Sequence, residues 1–257
     1  MRRFLSLLIL VCSLFLQGEE IIIDGLLFNS IYDEPEGRKN ATSLTIPSKR
    51  TISYDNNLTI EFDAFFWRKS PFGFILSGGN DNDPNLFVLS YSDYKSKDTS
   101  YIELTYLDRP SIISIPILDS DQGWGKWKNI KLFFEMEKQR IGLSFQKQNI
   151  IWYKEDLPFN NKMRFDFGST SFAVEPPRMA IKNIHINRDD KKSAVWKLDE
   201  ESGEIAYPDY ENGSSFLGQV INGVWIKQLH RQLKPVLYHK LYQNNFQFMG
   251  FDQDMNQ

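Results

Sequence analysis

Leu58-Thr-Ile-Glu-Phe-Asp-Ala-Phe-Phe-Trp67 is the stretch whose reading decides the fold. In an extended chain, Leu58, Ile60, Phe62, Ala64 and Phe66 fall on one face, and Thr59, Glu61, Asp63, Phe65 and Trp67 on the other. One face is wholly apolar and the other is mixed, which describes a strand buried on one side. The same texture runs outward in both directions. Further strand-like runs are Phe72–Ser77, Leu86–Tyr91, Tyr101–Leu107, Ile112–Leu118, Lys128–Met136, Ile141–Gln146, Ile150–Tyr153, Met163–Phe167 and Met179–Asn187. Turn-forming groups separate them, among them Ser77-Gly-Gly-Asn-Asp81, Asp108-Arg-Pro110 and Glu175-Pro-Pro177. No long segment carries a 3.6-residue period. Short strands at regular spacing favour a sandwich or barrel over a βαβ fold.

Composition narrows the function classes. The chain has 257 residues, 41% hydrophobic and 25% charged, with a net charge of −3. Those values predict a globular core and no basic nucleic-acid surface. One Cys and three His exclude a Cys/His zinc cluster. Residues 1–18 read as a signal peptide: Arg2 and Arg3, then the apolar run Phe4 to Leu16, then a polar end at Gln17-Gly18. That run is shorter than the ~20 residues a membrane span needs, and no later run reaches that length. The expectation is a protein that is secreted, periplasmic or at the cell surface, with no membrane span once the signal is removed. Cys12, the only cysteine, would leave with the signal, so no disulfide would hold the mature chain. The polar run Asn187-Arg-Asp-Asp-Lys-Lys-Ser193 is the expected boundary between a β-sandwich over 21–190 and a small C-terminal extension over 191–257.

Three segments carry a family resemblance. They are Leu58 to Trp67, Gly125-Lys-Trp-Lys-Asn-Ile-Lys-Leu-Phe-Phe134, and Met179-Ala-Ile-Lys-Asn-Ile-His-Ile-Asn187. In this order they resemble the early strand, the Trp-led strand and the closing strand of the laminin G-like, concanavalin A-like jelly roll. The resemblance implies an all-β, two-sheet antiparallel jelly roll. It also implies a non-catalytic module that recognises an extracellular glycan or protein partner. Trp196 to Ala206, followed by Gly218 to Ile226, is similar to a phrase found in exported bacterial proteins with such modules. In that company, Phe246–Phe251 would open a further, kelch-like module, and a docking role for a missing propeller is a further alternative.

Candidate residues follow from chemistry. Relatives of this fold include glycoside hydrolases, which project carboxylates from alternate positions of one strand. Glu61 and Asp63 meet that alternation, but Phe65 stands at the next position, so the acidic set is incomplete. A hydrolase is the alternative function, and a third acid beside this pair would favour it. Asp199-Glu200-Glu201 and Glu204 read as solvated charge. No nucleophile elbow, P-loop or His-Glu-x-x-His is present. For glycan binding, an aromatic ring must stack on a sugar with polar groups beside it. Trp67, with Asp63 and Glu61 on its face, and Trp124, between two glycines, are the candidates. Trp127 and Trp152 read as core, and Trp196 and Trp225 as packing the extension onto the sandwich. Calcium is the expected cofactor, if one binds: Asp81, Asp83 and Asn85 place oxygen side chains at alternate positions of one loop, with Asp119 and Asp121 a weaker second set.

Overall fold

A computed structural model describes residues 20–28, 40–67, 72–80, 86–92, 99–107, 110–118, 125–153, 161–170, 175–189, 191–209 and 216–232. By internal contacts the chain divides into a unit of Ile23–Gln228 and a unit of Met1–Ile22 with Leu229–Gln257. Nearly all of the second unit, including the signal-like segment and Phe246–Phe251, lies outside the described residues. The described residues contain strands and no α-helix, and hence no helix long and apolar enough to cross a membrane.

The strands form two sheets. The eight-stranded sheet runs β11 (Gln148–Tyr153), β10 (Arg140–Phe145), β9 (Trp127–Glu135), β4 (Asn57–Phe66), β13 (Met179–Arg188), β1 (Glu20–Phe28) and β17 (Val224–Gln232), with β14 (Lys191–Trp196) also paired to β13. The nine-stranded sheet runs β15 (Ile205–Ala206), β16 (Gly218–Ile221), β2 (Ser43–Ile46), β12 (Lys162–Gly168), β5 (Phe72–Gly79), β6 (Phe87–Ser92), β7 (Thr99–Tyr106) and β8 (Ile113–Leu118), with β3 (Ile52–Ser53) paired to β12. The strand pairs whose register is described are all antiparallel. This is the expected two-sheet antiparallel jelly-roll sandwich.

Alternation builds the core. Leu58, Ile60, Phe62, Ala64 and Phe66 of β4 are all buried, as their spacing predicts. Ile130, Leu132 and Phe134 of β9 and Ile181, Ile184 and Ile186 of β13 join them from the flanking strands. Aromatic pairs tie the sheets together. Phe62 meets Phe167 of β12 edge to face at 5.1 Å, and Phe134 meets Phe87 of β6 at 5.1 Å. Such pairs add about 0.5–1.5 kcal/mol each beyond area burial.

The polar run at 187–193 spans the end of β13 and the start of β14, with Asp189 at a left-handed φ of 47° where the chain turns between them. Its polarity comes from that turn. The strands that follow join both layers, since β14 pairs with β13 in one sheet and β16 with β2 in the other. Trp196 is fully buried, and its Nε1 donates to the Phe216 carbonyl at 3.2 Å. β14 and β16 are therefore built into the sandwich.

Asp189 also organises the turn before β4. Its carboxylate accepts the backbone N–H groups of Asp55 (2.9 Å), Asn56 (2.7 Å) and Asn57 (3.0 Å). Burial pushes this carboxyl up, but the three N–H donors and Arg188 outweigh it and hold it below the ordinary carboxylate range. A lowered folded-state value stabilises the fold above the unfolded carboxyl range, near pH 4, and this contribution is lost as pH falls through the folded value. Asp189→Ala should cost about 1–2 kcal/mol at pH 7. Urea midpoints at pH 7 and pH 2.5 check this: the gap between variant and wild type should close at the lower pH.

Candidate functional site

The outer face of β4 carries the acids singled out in the sequence. Glu61 sits in register with Lys131 of β9 and His185 of β13. Asp63 is held at both oxygens, by the Asn129 amide (3.2 Å) and by the Asn183 amide (2.9 Å). Asn183 reaches it from an irregularity in β13, where its own φ is 52°. The residues that flank the two acids in register or by hydrogen bond are cationic, imidazole or amide, and no third carboxylate joins them. That arrangement gives a charge-balanced polar surface.

Trp67 departs from the expectation of a stacking platform. Its side chain is 6% exposed and packs against Phe65 at 4.8 Å, while its backbone N–H donates to the Arg178 carbonyl at 3.2 Å. Phe65, on the outer face by alternation, is buried under Trp67 and Trp127 (5.6 Å). The physical reason is local: two apolar side chains at the end of an otherwise polar face cover each other. Trp127, read as core, is half-buried, with the Lys182 ammonium 4.2 Å from its ring centre. Lys182 also pairs with Asp24. Trp152 packs against the core and lies 6.5 Å from Tyr106. Trp225 packs there too and donates to the Gly203 carbonyl at 2.8 Å.

Trp124 and the calcium candidates Asp81, Asp83, Asn85, Asp119 and Asp121 lie outside the described residues. Among the described residues no group of three or more His, Cys, Asp or Glu side chains is placed to hold a metal ion.

The opposite outer face, on β5–β6–β7, holds an arrangement that sequence reasoning missed. Leu89 and Tyr91 of β6 are core residues, so Ser90 and Ser92 face outward. They are nonetheless only 7% and 4% exposed. The neighbours explain this. Ser90 stands between Phe74 of β5 and Glu103 of β7, and Ser92 between Phe72 and Tyr101. Small side chains on the middle strand and large ones on both flanks make a trough with a serine floor. Its walls stand on backbones about 10 Å apart, two strand spacings. Phe72 and Phe74 form one wall, their rings edge to face at 4.8 Å. Tyr101 and Glu103 form the other, with Ser114 of β8 donating to Glu103 at 3.4 Å. One row further along, Ser77 is 3% exposed and its hydroxyl has no hydrogen-bond partner. Asp166 follows in register, accepting from Thr45 at 2.6 Å. Alternation alone could have marked Phe72, Phe74, Tyr101 and Glu103 as outward-facing. Only the strand register shows that they flank one line of serines.

No model of a known family matches the chain, and no curated protein matches it. Solved structures do resemble it. A heptameric SAP-like pentraxin from Limulus polyphemus is 15% identical, with 77% of this chain and 94% of that chain covered and a TM-score of 0.49. Sheep galectin-11, in complex with glycerol, is 10% identical over 55% of this chain and 97% of its own, with a TM-score of 0.36. An alginate lyase from Pseudomonas aeruginosa is 10% identical over 54% of this chain and 68% of its own, with a TM-score of 0.37. At these identities the likenesses concern the fold.

Proposed function

We propose that this protein is an exported, non-catalytic recognition module of the laminin G-like kind that binds an extracellular glycan along the β5–β6–β7 trough. The observation that carries this reading is the pair of buried, outward-facing serines between Phe72 and Phe74 on one side and Tyr101 and Glu103 on the other. Aromatic faces stack on the C–H faces of sugar rings, and serine hydroxyls with a carboxylate bind ring hydroxyls. A serine floor leaves depth for a ring and supplies hydrogen-bonding groups along its length.

The test is a glycan array on the mature protein, with and without calcium, followed by titration of the strongest hit. Phe74→Ala and Tyr101→Ala should each weaken that hit at least tenfold, which is about 1.4 kcal/mol. Glu61→Gln, on the opposite sheet, should leave affinity unchanged. Loss of affinity in Glu61→Gln alone would move the site to the other face, and an array without any hit would overturn glycan recognition.

A further inference from the structure

The segment between β14 and β17 leaves one sheet, contributes β15 and β16 to the other, and returns. It acts as a strap, and several contacts pin it. Lys197 pairs with Asp209 at 2.6 Å, Trp225 donates to the Gly203 carbonyl at 2.8 Å, Lys227 pairs with Glu201, and the Val220 N–H donates to the Glu204 carbonyl at 2.8 Å. Among its described residues three backbone positions have positive φ, Leu198 at 60°, Gly203 at 102° and Asn222 at 51°.

Glu200 is the exception among these charges. The acidic run 199–204 reads in the sequence as solvated, and Glu201 is indeed exposed, yet Glu200 is half-buried. Its Oε1 accepts the Tyr207 N–H at 2.6 Å, whereas its Oε2 is buried without a hydrogen-bond partner. A carboxylate with an oxygen buried in this way loses hydration with nothing in return. The charged groups around it do not supply the missing cation. Asp199 and Asp209 oppose its ionisation, Lys197 is engaged by Asp209, and Lys227 is engaged by Glu201. Glu204, on the same loop, adds a further acid.

We propose that Glu200 is a proton-operated latch on this strap: the neutral carboxyl holds the strap closed on the sandwich, and the ionised carboxylate loosens it. Burial first, then the Asp199 and Asp209 charges, push this carboxyl above its ordinary range against the opposing backbone N–H groups of Tyr207 and of Glu200 itself. The sign follows. A raised folded-state value penalises the charged form at high pH, and the penalty is relieved as pH falls from the folded value toward the unfolded one near 4.3. Strap stability therefore rises with mild acidification, opposite to the effect of Asp189. At the level of the molecule, this is a closure that tightens where the surroundings turn acidic.

The experiment is hydrogen exchange on the full chain from pH 8 to pH 4, with rates corrected for intrinsic pH dependence and read on peptides spanning 198–209. Wild type should gain protection there as pH falls. Glu200→Gln, neutral at every pH, should show a flat profile near the low-pH wild-type level, and its melting temperature at pH 8 should be no lower than that of wild type. Carbon-13 titration of the Glu200 carboxyl in wild type gives a second readout that needs no variant. A titration at or below the ordinary glutamate value, or identical pH profiles for Glu200→Gln and wild type, would overturn the latch.

Discussion

Trp196→Ala should remove about 3–5 kcal/mol of stability, among the largest effects open to a single side chain in this fold. The indole is fully buried at the end of β14, its Nε1 satisfied by the Phe216 carbonyl. Truncation leaves a cavity of indole size and strips that carbonyl of its donor. Against a typical domain stability of roughly 5–15 kcal/mol, such a loss brings the molecule near the unfolding threshold. The informative point is how the unfolding proceeds. Because β14 and β16 sit in different sheets, the loss should appear as one cooperative transition at lower urea. A separate early transition, with the sandwich intact afterwards, would show that the C-terminal strands are an attachment.

Gly168→Ala should cost about 3 kcal/mol through a different mechanism. Gly168 ends β12 with φ at 73°, where a side chain adds about 1–2 kcal/mol of strain. An added Cβ would also meet the Phe28 ring at 2.5 Å and the Thr42 carbonyl oxygen at 2.6 Å. Phe28 belongs to β1 and Thr42 directly precedes β2, so the collision reaches the margin of both sheets. Gly203→Ala is the control. Its φ is 102°, but nothing lies within 4 Å of the added atom, so only the strain remains. Because φ of 102° strains an alanine at least as much as 73° does, a larger loss at Gly168 in the urea midpoints must come from crowding. Equal losses would show that the Gly168 surroundings give way.

How much of this was legible beforehand differs from element to element. The alternation of Leu58 to Phe66 announces a half-buried strand because a two-residue period has no other economical explanation, and β4 lies in the middle of its sheet. The short β2, Ser43-Leu-Thr-Ile46, offers too few residues for a period and takes its shape from pairing with β12 and β16. The polar 187–193 run resembled a boundary because a tight turn and a linker use the same residue types. The acids of β4 were visible, but the amides that hold Asp63 come from β9 and β13, far away in sequence. Trp67 looked exposed by parity, and only the packing of Phe65 shows otherwise. Ser90 and Ser92 carry no local signal at all. Their meaning lies in Phe72, Phe74, Tyr101 and Glu103 on the neighbouring strands.

The register that pairs Leu26 with Ile181, and Leu44 with both Phe167 and Val220, has a consequence for how the molecule comes into being. β1 therefore meets β13, and β2 meets β16, only when the last third of the polypeptide has left the ribosome, whereas β5, β6, β7 and β8 pair with their neighbours in sequence. Closing such long loops is entropically costly and slow. The growing chain can therefore pair its central strands early, while the apolar side chains of β1 wait for the strand that covers that edge.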